Sequence, residues 1–140
     1  MLRRPWFKAL ALFLTGGEAY TVVELLWRGW THPSMFLLGG VCFLVLGALN
    51  EYLPWEMPLA AQVVIGDVLV TVLELATGLI VNVWLGLGVW DYSNLPGNLW
   101  GQICPQFMAL WIPLVLVAIL LDDLLRWRLF GEEKPKYRIL

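Results

Sequence analysis

Two carboxylates sit where a carboxylate is expensive. Glu18 and Glu74 each lie inside a long apolar stretch, and each stands in the frame Thr-x-x-Glu-x-x-Thr: Thr15-Gly16-Gly17-Glu18-Ala19-Tyr20-Thr21 and Thr71-Val72-Leu73-Glu74-Leu75-Ala76-Thr77. An ionisable side chain in hydrocarbon costs roughly 2.5–3.5 kcal/mol on insertion scales, so it calls for a partner or a purpose. At about 1.5 Å rise per residue, both fall near the middle of their stretches. Two acids at that depth could share one proton as a coupled pair, or bind a cation.

The neighbours of these acids are patterned. Asp67, Thr71, Glu74, Gly78 and Asn82 follow spacings of 4, 3, 4 and 4, which places them on one helical face. Gly17, Tyr20, Glu24, Trp27 and Thr31 form a similar line, spaced 3, 4, 3 and 4. The stretches bearing Glu18 and Glu74 are therefore expected to face each other or a shared cavity. Glu18, Glu74, Tyr20, Thr71 and Asn82 are the candidate substrate- or ion-binding residues. For Thr71, Gly78 and Asn82 the simpler role is helix–helix adhesion through small and hydrogen-bonding side chains. Glu24 precedes Arg28 by four residues, the arrangement that favours an ion pair on a helix.

These residues need membrane helices to position them. The chain has 140 residues, 60% of them hydrophobic and 14% charged, with a mean hydropathy of +0.74. Soluble domains are nearer about 25% charged. Four apolar blocks, residues 6–27, 35–53, 61–85 and 107–127, approach the roughly 20 residues needed to cross a bilayer. Each must be helical to satisfy its own backbone, and Pro113 is a potential kink in the last. The fold class is thus an all-α membrane protein in one domain, residues 1–130, with a short tail, 131–140. Arg3, Arg4 and Lys8 lie at one end, and Arg126, Arg128, Lys134, Lys136 and Arg138 at the other. Positive-inside bias then makes both termini cytoplasmic in a multi-pass inner (plasma) membrane protein. Residues 50–59 would be an inner loop, and residues 28–34 and 86–105 would face outward. No cleavable signal peptide is recognisable, so the first block reads as a retained span.

The halves of the chain correspond. Besides the glutamate frames, Trp27-x-Gly29 matches Trp84-x-Gly86, Trp30 can be set against Trp90, and Gly39-x-x-Cys42 matches Gly101-x-x-Cys104. Two parallel hairpin repeats are one explanation, and some transporters are built so. Chance in a Leu-, Gly- and Trp-rich chain is the other.

The outward segments hold specific-looking residues: Arg28-Gly29-Trp30-Thr31-His32-Pro33-Ser34-Met35, and Trp90-Asp91-Tyr92-Ser93-Asn94-Leu95-Pro96-Gly97-Asn98 followed by Gly101-Gln102-Ile103-Cys104. Glu24, Arg28, His32, Trp90, Asp91, Tyr92, Ser93 and Asn94 are candidates for an outer gate or docking surface. A loop of this length is usually functional or disordered, and its aromatics argue against disorder. These motifs resemble the bacterial ABC-transporter type IV (CmpB-like) family over about Thr15 to Trp111. The resemblance implies a permease. No Gly-x-x-x-x-Gly-Lys-Ser/Thr phosphate loop is present, so any ATPase would be a separate chain.

The leading functional expectation is a small transporter, permease subunit or channel with an intramembrane carboxylate site for a cation or proton. The alternative is a non-transporting accessory subunit that docks a larger complex through its outer loops. A third reading, acid–base chemistry by His32, Glu24, Asp91 and Ser34, lacks any recognisable nucleophile motif, so no catalytic residue is assigned. His32 is the only histidine, and Cys42 and Cys104 match no zinc spacing, so no metal ligand set or cofactor is expected. The two thiols could pair if the helices bring them together. Expected partners are membrane lipids, a second copy in a dimer, and a separate ATPase or larger complex. Nothing points to nucleic acid.

Overall fold

The computed structural model describes residues 4–52 and 57–132. Expectations that rest on Arg3, on the centre of the inner loop or on the basic tail beyond Glu132 lie outside them. Four α-helices follow in order: α1 (Pro5–Arg28), α2 (Pro33–Tyr52), α3 (Leu59–Gly78) and α4 (Pro105–Phe130). The end of α3 continues as a π-helical stretch, Leu79–Trp84. Among the described residues the one β-type contact is an isolated bridge between Leu99 and Ile103.

Three of these helices are long and apolar enough to cross a membrane: α1, α3 with its π-helical end, and α4. The apolar part of α2, Pro33–Leu49, is shorter. Their ends follow local chemistry. Pro5 and Pro105 open α1 and α4, where a missing N–H costs nothing. Gly29 and Gly131 close the same helices in the left-handed conformation, with their N–H groups on Leu25 and Arg126 carbonyls. α4 runs unbroken through Pro113.

α1 and α2 form the tightest hairpin. A Cβ on Gly16 would stand 2.9 Å from the Gly39 carbonyl oxygen and collide with Phe43, so the two backbones touch because both positions lack side chains. α2 then packs against both α3 and α4, around Leu46, Leu49, Val63, Val70, Val115 and Ile119. A second core cluster lies at the end of the bundle that carries the α3–α4 loop (termed outer, the opposite end inner), where Met35 and Leu38 meet Val81, Val89 and Trp90. α2 therefore stands between α1 and α3, which share no substantial contact. Of the two expected arrangements, direct apposition is replaced by a shared cavity. α1 and α4 meet only briefly, and this leaves a groove between them.

The inner end is closed by charge. Asp122 is fully buried and accepts a 2.9 Å hydrogen bond from Arg126 Nε. A Cβ on Gly47 would overlap that carboxylate. Glu132 pairs with Lys8 and lies 3.7 Å from Arg126 Nη1, tying the start of α1 to the end of α4.

The matched positions of the two halves differ in their surroundings. Gly29 and Gly86 are alike, both left-handed just beyond an exposed tryptophan. Trp30 is exposed whereas Trp90 is buried. Cys42 lies within α2 whereas Cys104 precedes α4. Both thiols are free.

Candidate functional site

Two cavities line the α1–α4 groove. The deeper, about 150 Å³, has Gly16, Ala19 and Tyr20 on one wall, Trp111, Leu114 and Val117 on the other, and Cys42 and Glu74 at its floor. The outer, about 340 Å³, lies between Glu24, Arg28, Trp90, Tyr92 and Phe107. Tyr20, Val23, Trp111 and Leu114 border both, so the cavities adjoin across these side chains.

Glu74 reaches this place because α3 turns its polar stripe inward. Asp67, Thr71, Glu74 and Gly78 are all buried. The Glu74 carboxylate is 3% exposed and accepts a 3.0 Å hydrogen bond from Trp111 Nε1. Tyr20 packs edge-on against that indole, ring centres 5.3 Å apart. The other ionisable groups within electrostatic range of Glu74 are Tyr20, Glu24, Cys42, Asp67 and Tyr92. Among the described residues no three His, Cys, Asp or Glu side chains converge as a metal site would need.

Glu18 is elsewhere. Its side chain is exposed, lines neither cavity, and has no hydrogen bond or ion pair among the described residues. Within the described chain Glu18 and Glu74 are therefore not brought together. The physical reason is the α1–α2 contact: Gly16 and Gly17 must face α2, and at about 100° per residue this turns Glu18 away from the groove.

The outer cavity is framed by an ion pair. Glu24 is buried at 7% exposure, with its Oε2 2.7 Å from Arg28 Nε. Arg28 Nη1 donates to the Val89 carbonyl at 2.8 Å, and the guanidinium covers Trp30 at 4.0 Å. This one side chain therefore joins α1 to the outer loop.

The loop between α3 and α4 is itself a folded unit. Asn82, in the π-helical stretch, accepts the N–H groups of Val89 (2.7 Å) and Trp90 (3.3 Å), and donates to Gln102 Oε1 at 2.9 Å. Trp90 Nε1 donates to the Gln102 carbonyl at 3.0 Å. Tyr92 stacks on Phe107, ring centres 4.5 Å apart, and burial pushes its hydroxyl well above the ordinary tyrosine range. Asp91 is exposed and accepts the Ser93 N–H at 2.9 Å. Hydrogen bonds from the Ser93 side chain and backbone hold its carboxyl below the usual range. Asn98 binds the Ser93 and Leu95 carbonyls and the Gly101 N–H.

Of the residues singled out for substrate or ion binding, Glu74 and Tyr20 come together, while Glu18, Thr71 and Asn82 line neither cavity. Asn82 is committed to holding the loop. Thr71 is buried, and its hydroxyl has no hydrogen bond among the described residues. Of the outer set, Glu24, Arg28, Trp90 and Tyr92 line the mouth. Asp91 and Ser93 turn the loop, and Asn94 is exposed. His32 Nδ1 accepts the Ser34 N–H at 3.1 Å and lies 2.8 Å from its hydroxyl, at the start of α2. His32, Glu24 and Asp91 thus each serve a different local contact.

Trp111 and Gln102 went unread. Trp111 had no distinguishing signal: it stands four residues into its apolar block, close to the interfacial belt where this residue is common. Gln102 had none beyond standing in a specific-looking motif.

A family profile described as Putative ABC-transporter type IV matches residues 18–129, which is most of the chain. No curated protein matches, and no solved structure matches. The matched region contains Glu24, Arg28, Glu74, Trp111 and the whole outer loop. The chain belongs to the family described as Putative ABC-transporter type IV, and its long apolar helices are those of a membrane protein.

Proposed function

We propose that this chain is a small permease component whose transport site is the groove between α1 and α4, with Glu74 as the carboxyl that exchanges a proton for a cation. The observation that carries this reading is the placement of Glu74: a buried carboxylate, with one indole donor, lining a cavity that adjoins the outer one at Tyr20 and Trp111. A lone intramembrane acid facing a cavity marks a substrate or proton path more often than it serves as adhesion. In this reading all four helices cross the bacterial inner membrane with both termini cytoplasmic. The basic residues at the two chain ends support that orientation. Four helices bound only a half-open path, so a homodimer completes it, and any ATP hydrolysis belongs to a separate chain.

The test is reconstitution into liposomes loaded with a pH-sensitive dye and challenged with inorganic and organic monocations. At least one cation should drive proton movement that Glu74→Gln abolishes and Glu18→Gln preserves. Proton movement that survives Glu74→Gln would overturn the reading.

A second reading, the non-transporting accessory subunit, is favoured by the outer surface. Trp84 and Trp100 are exposed at 79% and 66%, while the loop beneath is held by its own hydrogen bonds. Copurification of a larger membrane complex, lost on Trp100→Ser, would support it.

A further inference from the structure

The groove has a chemical character narrower than "cation". Six aromatic residues line its outer cavity: Tyr20, Trp27, Trp90, Tyr92, Phe107 and Trp111. They come from α1, the outer loop and α4, so the rings surround the space instead of forming one stripe on one helix. Ring faces attract a positive charge, and the attraction grows when water is excluded. Apart from the paired Glu24 and Arg28, the remaining walls are apolar, including Val23 and Leu114.

The charges add a sign. Glu24 and Arg28 are 2.7 Å apart and cancel. Arg28 is further engaged by the Val89 carbonyl and the Trp30 ring, which turns it toward the loop. Glu74 has no cationic partner among the described residues and receives only the neutral Trp111 N–H. When ionised it is the uncompensated charge of the groove.

Size and access agree. The cavity lined by Glu74 is about 150 Å³ and adjoins the outer one, about 340 Å³; together they reach the size of small-molecule sites, roughly 300–1,000 Å³. A metal ion or hydrated alkali cation would want several oxygen ligands, whereas here one carboxylate stands among rings. The exposed side chains of Ala19 and Val117 flank the opening between α1 and α4, which faces the space an acyl chain would occupy.

From these observations we infer that the groove binds a lipophilic organic monocation, with its positive centre held between Glu74 and the Tyr20 and Trp111 rings that border both cavities and its apolar body entering sideways between α1 and α4. The inference rests on the transport reading for its site and names the substrate class. One negative charge accepts either one proton or one such cation, so the two compete for Glu74.

The experiment uses the full chain in detergent and two probes of the same shape and opposite charge, tetraphenylphosphonium and tetraphenylborate, with binding read by calorimetry. Tetraphenylphosphonium should bind saturably and tetraphenylborate should not. Glu74→Gln, which keeps an acceptor for Trp111, should weaken tetraphenylphosphonium by about tenfold or more. Ala19→Trp, on the exposed wall, should block it without touching the carboxylate. Equal binding of the two probes would overturn the inference, as would unchanged tetraphenylphosphonium affinity in Glu74→Gln and Ala19→Trp. Binding without proton movement in liposomes would leave the inference standing and remove the transport reading. Proton movement driven only by inorganic cations would do the reverse.

Discussion

At the scale of single residues, the two glutamates show how packing sorts identical local frames. Glu74 stands on a face where Asp67, Thr71 and Gly78 are also buried, and period-four spacing made that face readable. Glu18 shares the Thr-x-x-Glu-x-x-Thr frame, but Gly16 and Gly17 decide which way α1 turns, and their close fit to α2 is a tertiary fact. Glu24 and Arg28 were readable as an ion pair from spacing alone. Their burial raises what the pair is worth. Arg28→Met should leave Glu24 buried without its cation and cost about 3–5 kcal/mol, whereas changing both partners together (Glu24→Gln with Arg28→Met) should recover much of that loss. Thermal unfolding in detergent, compared across the two single variants and the double, checks this.

Asp91 gives a pH dependence with a definite sign. Its carboxyl is held below the usual range by the Ser93 hydrogen bonds, so the contact is fully present above the unfolded value of about 3.9. It is lost as pH falls through the lower, folded value. Protection of the Ser93 amide, corrected for its intrinsic exchange rate, should be lost only below the ordinary aspartate range. In Asp91→Asn it should show no such step.

At the scale of elements, the helices were legible because long apolar blocks admit little else in hydrocarbon. The π-helical end of α3 was not, because Leu79 to Trp84 reads as ordinary apolar sequence. That widened turn carries Asn82, whose side chain serves Val89, Trp90 and Gln102 at once. The turn residues of the loop were visible, but not the asparagine one element earlier that holds them. Asn82→Ala should strand the buried Trp90 and Val89 N–H groups, at about 1–3 kcal/mol each when left unsatisfied. Hydrogen exchange should rise across residues 86–104 and stay unchanged in α1 and α2. Uniform loosening of all four helices would show instead that Asn82 supports the whole bundle.

At the scale of the molecule, the groove follows from which helices touch. α2 packs on each of the others, while α1 and α4 share few contacts: the Tyr20–Trp111 rings, a cluster around Leu12 and Phe130, and the Lys8–Glu132 pair just beyond α4. Repeat arithmetic left duplication and chance open. The structure has one glycine-packed hairpin, α1 with α2, and a looser pair, α3 with α4, separated by the folded α3–α4 loop. Sequence spacing speaks to faces of one helix and is silent about gaps between two, so the cavity and Trp111's place in it emerged only with the fold.

The central claim is that Glu74 can be reached through this gap. Carbodiimide labelling of the protein in lipid bilayers, read by mass spectrometry, measures it directly, with the exposed Glu18 as internal reference. The account predicts adducts on both glutamates in the unmodified chain, and loss of the Glu74 adduct alone in Ala19→Trp. A Glu74 that stays unlabelled while Glu18 reacts, or that labels equally in both proteins, would contradict it.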